Sequence, residues 1–394
     1  MRSPFFYVYN RVCRQEDVIP DFDFYLKYTE IPFLEGERSG EELSKLAKSG
    51  CMNSEPPFFA CVAGSKFPLL INAFASMERL EAAWGMSADT LAERANRQSR
   101  DISQLSFTDP RAYDTLKGLE DLPLCKFHDG DTSGSINLGC VINEHSGIYH
   151  GGIYRIEPIG EKRAVIHCAD KSGLAKSIAE AHGDIPVTIA VGCSPFLVFT
   201  CACSFPYDTD ALRLASRLGD VKYIRTSGFP VPSDTRVIIH GTVGAERAKG
   251  GRFLNHTGRF TEPKDFPVLN IKSVQMMRGG FMQTMITDIP PMENVYLGQA
   301  AARVNFYRFR ESYSAVRDIR HPEVGVYGRL CFVLADGIND ILLKRLKNDP
   351  FYGRFSKIFV FDDDTDITDI SHVFWRIGHS QRFGRNIDGK IFIV

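Results

Sequence analysis

The sequence has no surplus of charge of either sign: 47 Lys and Arg stand against 48 Asp and Glu, a formal net charge of −1 at pH 7. Surfaces for nucleic acid or anionic lipid need clustered basic charge, so near-neutrality argues against both partners. Ten cysteines are present, yet no Cys-x-x-Cys pair occurs. Cys201-Ala-Cys203 has the wrong spacing for a zinc knuckle or a redox pair. The start, Met1-Arg-Ser-Pro-Phe-Phe-Tyr7, lacks the apolar core and cleavage site of a signal peptide, so reduced thiols in the cytosol are expected. Long hydrophobic runs are missing with one exception, the uncharged residues 188–207. Gly192, Pro195 and Pro206 interrupt that run, which reads as a buried strand (TIAVG) and a buried helix (FLVFTCACSF) rather than a membrane span. Internal repeats and low-complexity tracts are also absent.

What is there is an ordinary globular composition: 44% hydrophobic, 24% charged and 11% aromatic residues. A chain of 394 residues predicts two or three domains at roughly 100–200 residues each. PPFFACVAG and PLLINAF are strand-length apolar runs joined by the turn Gly64-Ser65-Lys66, and a helical pattern follows from Ser76. Residues 100–120, with Asp109-Pro110, read as a connector. From about 120 to 305 come INLGCVI, GGIYRIEPI, RAVIHC, VTIAV, RVIIHGTV, VLNIKSVQM and FMQTMI, short strands broken by turn residues, which suggest a sandwich or barrel. The last third returns to α/β, with strands LCFVLA and KIFVF and a helix over 337–348 that places Ile338, Ile341, Leu342 and Leu346 on one face. Asp362, Asp363, Asp364 and Asp366 lack the Gly and Glu spacing of a calcium loop and read as solvated helix capping, without metal.

Motifs in a fixed order carry a resemblance. Asp121-Leu-Pro and His128-Asp-Gly precede Ile142-Asn-Glu-His-Ser-Gly-Ile-Tyr-His-Gly-Gly-Ile-Tyr-Arg155. Then come Ile185-Pro-Val-Thr-Ile-Ala-Val-Gly-Cys-Ser-Pro195, Asp210-Ala-Leu-Arg-Leu-Ala215 and Val231-Pro-Ser-Asp-Thr-Arg236. Phe253-Leu-Asn-His-Thr-Gly258, Pro290-Pro-Met-Glu293 and Phe361-Asp-Asp-Asp-Thr-Asp366 complete the series. Together with Phe67-Pro-Leu-Leu-Ile-Asn and Glu78-Arg-Leu, these resemble the UbiD family of prenylated-FMN-dependent decarboxylases over nearly the whole chain from about residue 50. The resemblance implies a multidomain α+β and α/β chain. Its parts are an N-terminal α/β domain (1–118), a middle split β-barrel domain that binds flavin and is flavin-reductase-like (119–305), and a C-terminal α/β oligomerisation domain (306–394).

In that family, the resemblance implies, the flavin phosphate is held through a divalent metal whose protein ligands include an Asn and a Glu. A Glu-Arg-Glu set handles the carboxylate and the proton, and the cofactor carries the hard step. Arg155 keeps its motif position, where a guanidinium holds a carboxylate in bidentate fashion or, as a plain structural residue, pairs across the barrel. Gly151, Gly152, Ile153 and Tyr154 would offer backbone to the flavin. The departures are instructive. His150 stands at the Asn position and Arg236 at the metal-ligand Glu position. A guanidinium has no lone pair for a metal, so no metal site is expected. Arg236, with His150 assisting, would then meet the phosphate directly; the plainer reading has Arg236 in solvent.

The loop Lys249-Gly-Gly-Arg-Phe-Leu-Asn-His256 has Gly250 and Asn255 at the two glutamate positions. Asn255 can orient a substrate but cannot donate a proton as an acid does, so His256 is the expected substitute and Glu246 a second one, each also readable as a bland loop residue. Arg252 and Arg259 make the loop cationic. His167 and Lys171-Ser-Gly173 correspond to a flavin-facing stretch. Thr226, Ser227 and Gly228 either touch flavin or phosphate or form a plain turn.

The expected activity is therefore non-oxidative decarboxylation, or a related lyase reaction, of a small unsaturated or aromatic carboxylic acid with prenylated FMN at an atypical, metal-independent site. Arg155, Asn255 and His256 are the expected catalytic residues. His150, Gly152, Ile153, Tyr154, His167, Thr226, Ser227 and Arg236 are the expected cofactor-binding ones. A flavin prenyltransferase would supply the cofactor, and a homodimer is expected. The alternatives are a catalytically silent UbiD-fold binding or scaffold protein, or an enzyme using ordinary FMN or no flavin. Residues 1–50 resemble nothing that assigns them a role.

Overall fold

Apolar runs of strand length pair first with their neighbours in sequence. The computed structural model describes residues 31–100, 104–362, 364–380, 386–387 and 389–394. Strand β1 (Phe33–Arg38) enters helix α1 (Gly40–Met52) through a capping box of Ser39 and Glu42. The expected hairpin is β2 (Phe58–Val62) and β3 (Leu69–Ile71), antiparallel and wholly buried. Helix α2 (Met77–Trp84) starts where Ser76 caps it, and α3 (Ala88–Gln98) follows. The connector holds two short strands, β4 (Ser106–Phe107) and β5 (Tyr113–Leu116).

Alternation then builds the centre. The strands are β6 (Ile136–His145), β7 (Ile148–Gly160), β8 (Arg163–His167) and, after α4 (Gly173–Glu180), β9 (Ile185–Val191). The apolar stretch after β9 is α5 (Pro195–Ala202), buried along its length as read from sequence, and no described helix is long and apolar enough to cross a membrane. Helix α6 (Ala211–Gly219) and the short strands β10 (Lys222–Ile224) and β11 (Val231–Pro232) lead to β12 (Val237–Lys249) and β13 (Asp265–Met277). The order β12-β9-β6-β7-β8-β13, with β13 pairing back onto β12, closes a six-stranded antiparallel barrel, and β5 adds to β13 outside it. Successive side chains on a strand point to opposite faces. Thus Ile156, Ile166, Val187, Ile189, Ile239 and Leu269 fill the interior, while Cys140, Ile142, Ala190 and Ile238 face the helices outside.

The run FMQTMI does not join the barrel. The turn at Gly279 (φ +63) ends β13, and β14 (Met282–Gln283) pairs parallel with β3 in the N-terminal sheet. The chain continues into α7 (Glu293–Ser312), so the expected domain limit at residue 305 falls inside one 20-residue helix. The last unit is a sheet of β15 (Val316–Arg320), β16 (Leu330–Ala335), β17 (Lys357–Phe361), β19 (Ile391–Ile393) and β18 (Asn386–Ile387), in that order, with α8 (Asp340–Asn348) and α9 (Ile370–His379). Helix α8 starts three residues later than expected, because Asn339 caps it, and buries Leu342, Leu343 and Leu346 while Ile341 is exposed. Asp369, beyond the acidic run, caps α9, and Asp363 lies outside the described residues.

Helix α7 ties the three parts together through charge. Arg303 is buried and reaches Asp89 at the start of α3 (2.5 Å) and Asp318 on β15 (2.6 Å), and Arg320 binds both carboxylates. At the other end of α7, buried Glu293 accepts from Phe74 N (2.7 Å). Replacing Arg303 with Ala leaves Asp89 and Asp318 facing each other with only Arg320 as countercharge. The expected loss is roughly 3 kcal/mol of unfolding free energy, near the low end for breaking a buried pair because both acids are partly exposed. A denaturant midpoint that moves with unchanged slope is the check. Burial pushes the Glu293 carboxyl up to about 7, against the Phe74 hydrogen bond and Arg79. A carboxyl raised in the folded state stabilises the fold fully below its ordinary value near 4.5, and that contribution is lost as pH rises through 7. Stability measured from pH 4.5 to 8 is expected to fall less steeply in Glu293→Gln than in the parent chain.

Candidate functional site

The barrel ladder sets Arg155 of β7 opposite His167 of β8. Ile156 and Ile166 point inward, so Arg155, Glu157 and His167 share the outer face. Glu157 Oε2 accepts from His167 Nε2 (2.7 Å) and from Gly251 N (2.8 Å), and Oε1 from Ser133 Oγ (2.7 Å). Burial acts to raise its carboxyl, but these three hydrogen bonds outweigh it and hold the group at about 2. Burial lowers His167 despite the neighbouring carboxylate, so the ring is neutral near pH 7. The proton on Nε2 then faces Glu157, and Nδ1 is a buried acceptor with no hydrogen-bond partner. Phe266 lies 4.1 Å from the imidazole and Phe253 5.4 Å. The guanidinium of Arg155 stacks 4.1 Å over Phe253, and its Nε has no hydrogen-bond partner. Burial lowers Arg155 to about 10, with Asp131 and Glu157 opposing, so it stays cationic near neutrality.

The loop between β12 and β13 covers this cluster. Arg252 N donates to Thr132 Oγ1 (2.9 Å), Thr132 N to Arg252 O (2.9 Å) and Leu254 N to Asp131 Oδ1 (3.0 Å). Asp131 Oδ2 in turn accepts from Phe127 N and His128 N. Residues 252–254 of the loop are therefore tied to Asp131 and Thr132, just after His128-Asp-Gly.

Beside the cluster opens a cleft of about 640 Å³, lined by residues 150–154, His167, Lys171, Ser172 and the chain after α5, with Tyr327 and Arg354 of the last unit opposite. His150 is 7% exposed, stacks on Tyr207 at 4.0 Å and has an Nε2 without a hydrogen-bond partner. Burial lowers His150, so it offers a neutral N–H. Lys171 is exposed next to the N-terminus of α4, where Ser172 is the cap and Gly173 has open space around its Cα. The Tyr154 hydroxyl reaches Ser172 and Leu174 N at the same helix end. Among the described residues no group of three or more His, Cys, Asp or Glu side chains is arranged to hold a metal ion.

The comparisons with known proteins fit this architecture. The family described as UbiD, 3-octaprenyl-4-hydroxybenzoate carboxy-lyase Rift-related domain, matches residues 108–290, which include the barrel and its covering loop. Residues 108–290 thus resemble the UbiD family's domain. An anhydromevalonate phosphate decarboxylase of Aeropyrum pernix is 24% identical over 82% of this chain and 76% of its own length. An uncharacterised Aquifex aeolicus protein is 26% identical over 66% of this chain, which spans only 57% of that relative. Among solved structures, an evolved dimeric form of the UbiD-class enzyme HmfF from Pelotomaculum thermopropionicum, in complex with prFMN, aligns with a TM-score of 0.79 and 18% identity over 92% of this chain and 90% of that one. Vanillic acid decarboxylase of Sedimentibacter hydroxybenzoicus aligns at 0.77 and 16%, over 90% of this chain and 82% of that one. At these identities the structural likeness is one of fold.

In this chain the residues singled out from sequence do not share one place. Arg155 and His167 are brought together, and His150, Gly152, Ile153, Tyr154 and His167 line the cleft. Arg236 does not line it. It is 2% exposed, with its amide donating to Val191 O and Gly192 O and its Nη1 to Met277 Sδ, so it is neither in solvent nor beside His150. Thr226 and Gly228 form a turn, with Thr226 Oγ1 bonded to Phe229 O and Gly228 N, and Ser227 is exposed. Asn255 spends its Oδ1 on Thr257 within the loop. His256 turns to a second cleft of about 540 Å³ with Arg259, where its ring meets Tyr327 at 4.9 Å. Glu246 is exposed and paired with Arg163. Glu157 escaped the sequence reading although Tyr-Arg-Ile-Glu places it two residues after Arg155, on the same strand face.

Gly251 leaves no room for a side chain: a Cβ there would stand 2.3 Å from Thr132 Cβ and 2.6 Å from Glu157 Oε1. Gly251→Ala is expected to cost roughly 1–3 kcal/mol as overpacking. Hydrogen exchange should show the loss of protection concentrated in residues 250–261.

Proposed function

We propose that the protein is a carboxy-lyase that decarboxylates a small unsaturated or aromatic acid, using prenylated FMN held in the His150 cleft without a divalent metal. The observation that carries this reading is the donor set of the cleft. A buried, partnerless His150 Nε2 lines the same cleft as Lys171 and the N-terminal cap of α4, which favour an anion. A flavin phosphate fits those donors, and His150 and Lys171 would hold it. The cleft volume lies within the range of roughly 300–1,000 Å³ that ligand sites occupy. This reading moves the metal-replacing charge from Arg236 to Lys171. The names of the decarboxylase relatives and the prFMN-bound structural neighbour support the same chemistry.

A bound prenylated flavin supplies an electron sink for the pair left when the bond to CO2 breaks. The chain's part is positioning. Arg155 holds the substrate carboxylate once Phe253 turns aside, and the low polarity around it strengthens that contact. Burial of the substrate under the loop excludes water. A homodimer in the cytosol, loaded by a flavin prenyltransferase, is the assembly we propose, in keeping with the nine described cysteines, all free thiols.

Co-expression with a flavin prenyltransferase, removal of loose metal, then native mass spectrometry and a visible spectrum test the reading. Bound prenylated flavin without a divalent ion is expected, with retention falling at least tenfold in Lys171→Glu. Release of CO2 would then be measured with vanillate and anhydromevalonate phosphate as the first acids. An empty chain under conditions that load another member of the family would overturn the proposal and leave a silent scaffold.

A further inference from the structure

We infer that the Glu157–His167 pair has taken over the proton-handling role of the carboxylates missing from the covering loop: His167 delivers the proton to the carbon that loses CO2, and Glu157 is its positioning residue. The inference rests on the decarboxylase reading above.

The space argument comes first. A Cβ built on Gly250 would lie 3.0 Å from both Cε1 and Nε2 of His167 and 2.7 Å from Phe266, and one on Gly251 would lie 2.6 Å from Glu157 Oε1. The room beside the loop backbone is already filled by an imidazole and a carboxylate reaching over from β8 and β7. A loop glutamate at 250 would have to displace the imidazole or the Phe266 ring to enter it. The loop supplies no acid because the strands do.

Hydrogen bonding then gives the pair its chemistry. The side chains of His167 and Glu157 are 5% and 6% exposed. Glu157 is held by three donors, so its orientation is fixed, and its bond to Nε2 fixes the tautomer that leaves Nδ1 open. Nδ1 has no partner, and His167 borders the proposed flavin cleft. Arg155 sits opposite His167 in the ladder, so a substrate carboxylate on its guanidinium brings the neighbouring carbon to the imidazole. Phe253 covers both groups, and one movement of that ring uncovers both.

The step balances with water as its co-reactant. His167 Nδ1 takes a proton from water, the hydroxide left behind combines with the released CO2 as bicarbonate, and Glu157 stabilises the imidazolium. The C–CO2 bond breaks and its electron pair stays with the substrate. A C–H bond then forms with the Nδ1 proton, returning neutral imidazole. The charged groups facing the ring are Glu157, which favours imidazolium, and Arg155 and Lys264, which oppose it.

The test has two arms. In the flavin-free parent chain, nitrogen NMR of the histidine rings is expected to show His167 protonated on Nε2 alone at pH 7, with Glu157→Gln lowering its titration midpoint. A proton on Nδ1, or a midpoint indifferent to Glu157→Gln, overturns the inference without any substrate. In the loaded enzyme, with vanillate and anhydromevalonate phosphate as acids, His167→Gln is expected to lower kcat by at least about 100-fold, as loss of a proton donor does. The alkaline limb of kcat should move to lower pH in Glu157→Gln while flavin content is unchanged. A His167→Gln enzyme within threefold of the parent, with an unmoved limb, overturns the inference alone. If the loaded parent releases CO2 from no acid, the decarboxylase reading fails, and this inference with it.

Discussion

Closure of the barrel is the constraint on which the rest depends. Strand β12 is paired on both edges, to β9 and to β13, so the six strands have no free edge and their registers cannot slip independently. With side chains alternating inward and outward, one fixed register sends Ile156 and Ile166 into the core and Arg155, Glu157 and His167 out of it. A slip of one residue on β7 would bury a guanidinium and a carboxylate among leucine and isoleucine, at a cost no local contact offsets. The chemistry of the outer face is thus maintained by the apolar inner face. The covering loop inherits part of that precision, since Glu157 fastens it to β7 and Asp131 and Thr132 to the segment before β6.

Much of the fold was legible because it follows short-range rules. Period-two runs from 136 to 277 announced strands, Gly192 and Pro195 separated β9 from α5, and Ser76 marked the start of α2. The failures share a cause. FMQTMI has strand character, but its partner β3 lies more than two hundred residues earlier, and no local signal names a partner. Ile338 and Ile341 fit the helical period of α8, yet the cap at Asn339 and the packing below it chose Leu342, Leu343 and Leu346. In the site, motif positions led to Arg155, His150 and His167, which the fold brings to neighbouring places. Motif positions also led to Asn255, His256 and Arg236, whose side chains are turned elsewhere by a loop hydrogen bond, by Tyr327 and by Met277. Glu157 was hidden because its significance lies in Gly251 and Ser133, both distant in sequence.

The two clefts share a wall. Tyr327, with its hydroxyl donating to Asn294 O (2.6 Å), borders both the His150 cleft and the His256 cleft, and it belongs to the unit that α7 fastens to the barrel. The ion network of Arg303 with Asp89, Asp318 and Arg320 joins α7 to α3 and to β15 of that unit.

The fit between Gly251 and Glu157 also constrains substitution. A side chain at 251 would stand 2.3 Å from Thr132 Cβ and 2.6 Å from Glu157 Oε1, so those two side chains have to move before the loop can carry one. Which residues the loop tolerates at 251 therefore depends on the size of the side chains at 132 and 157.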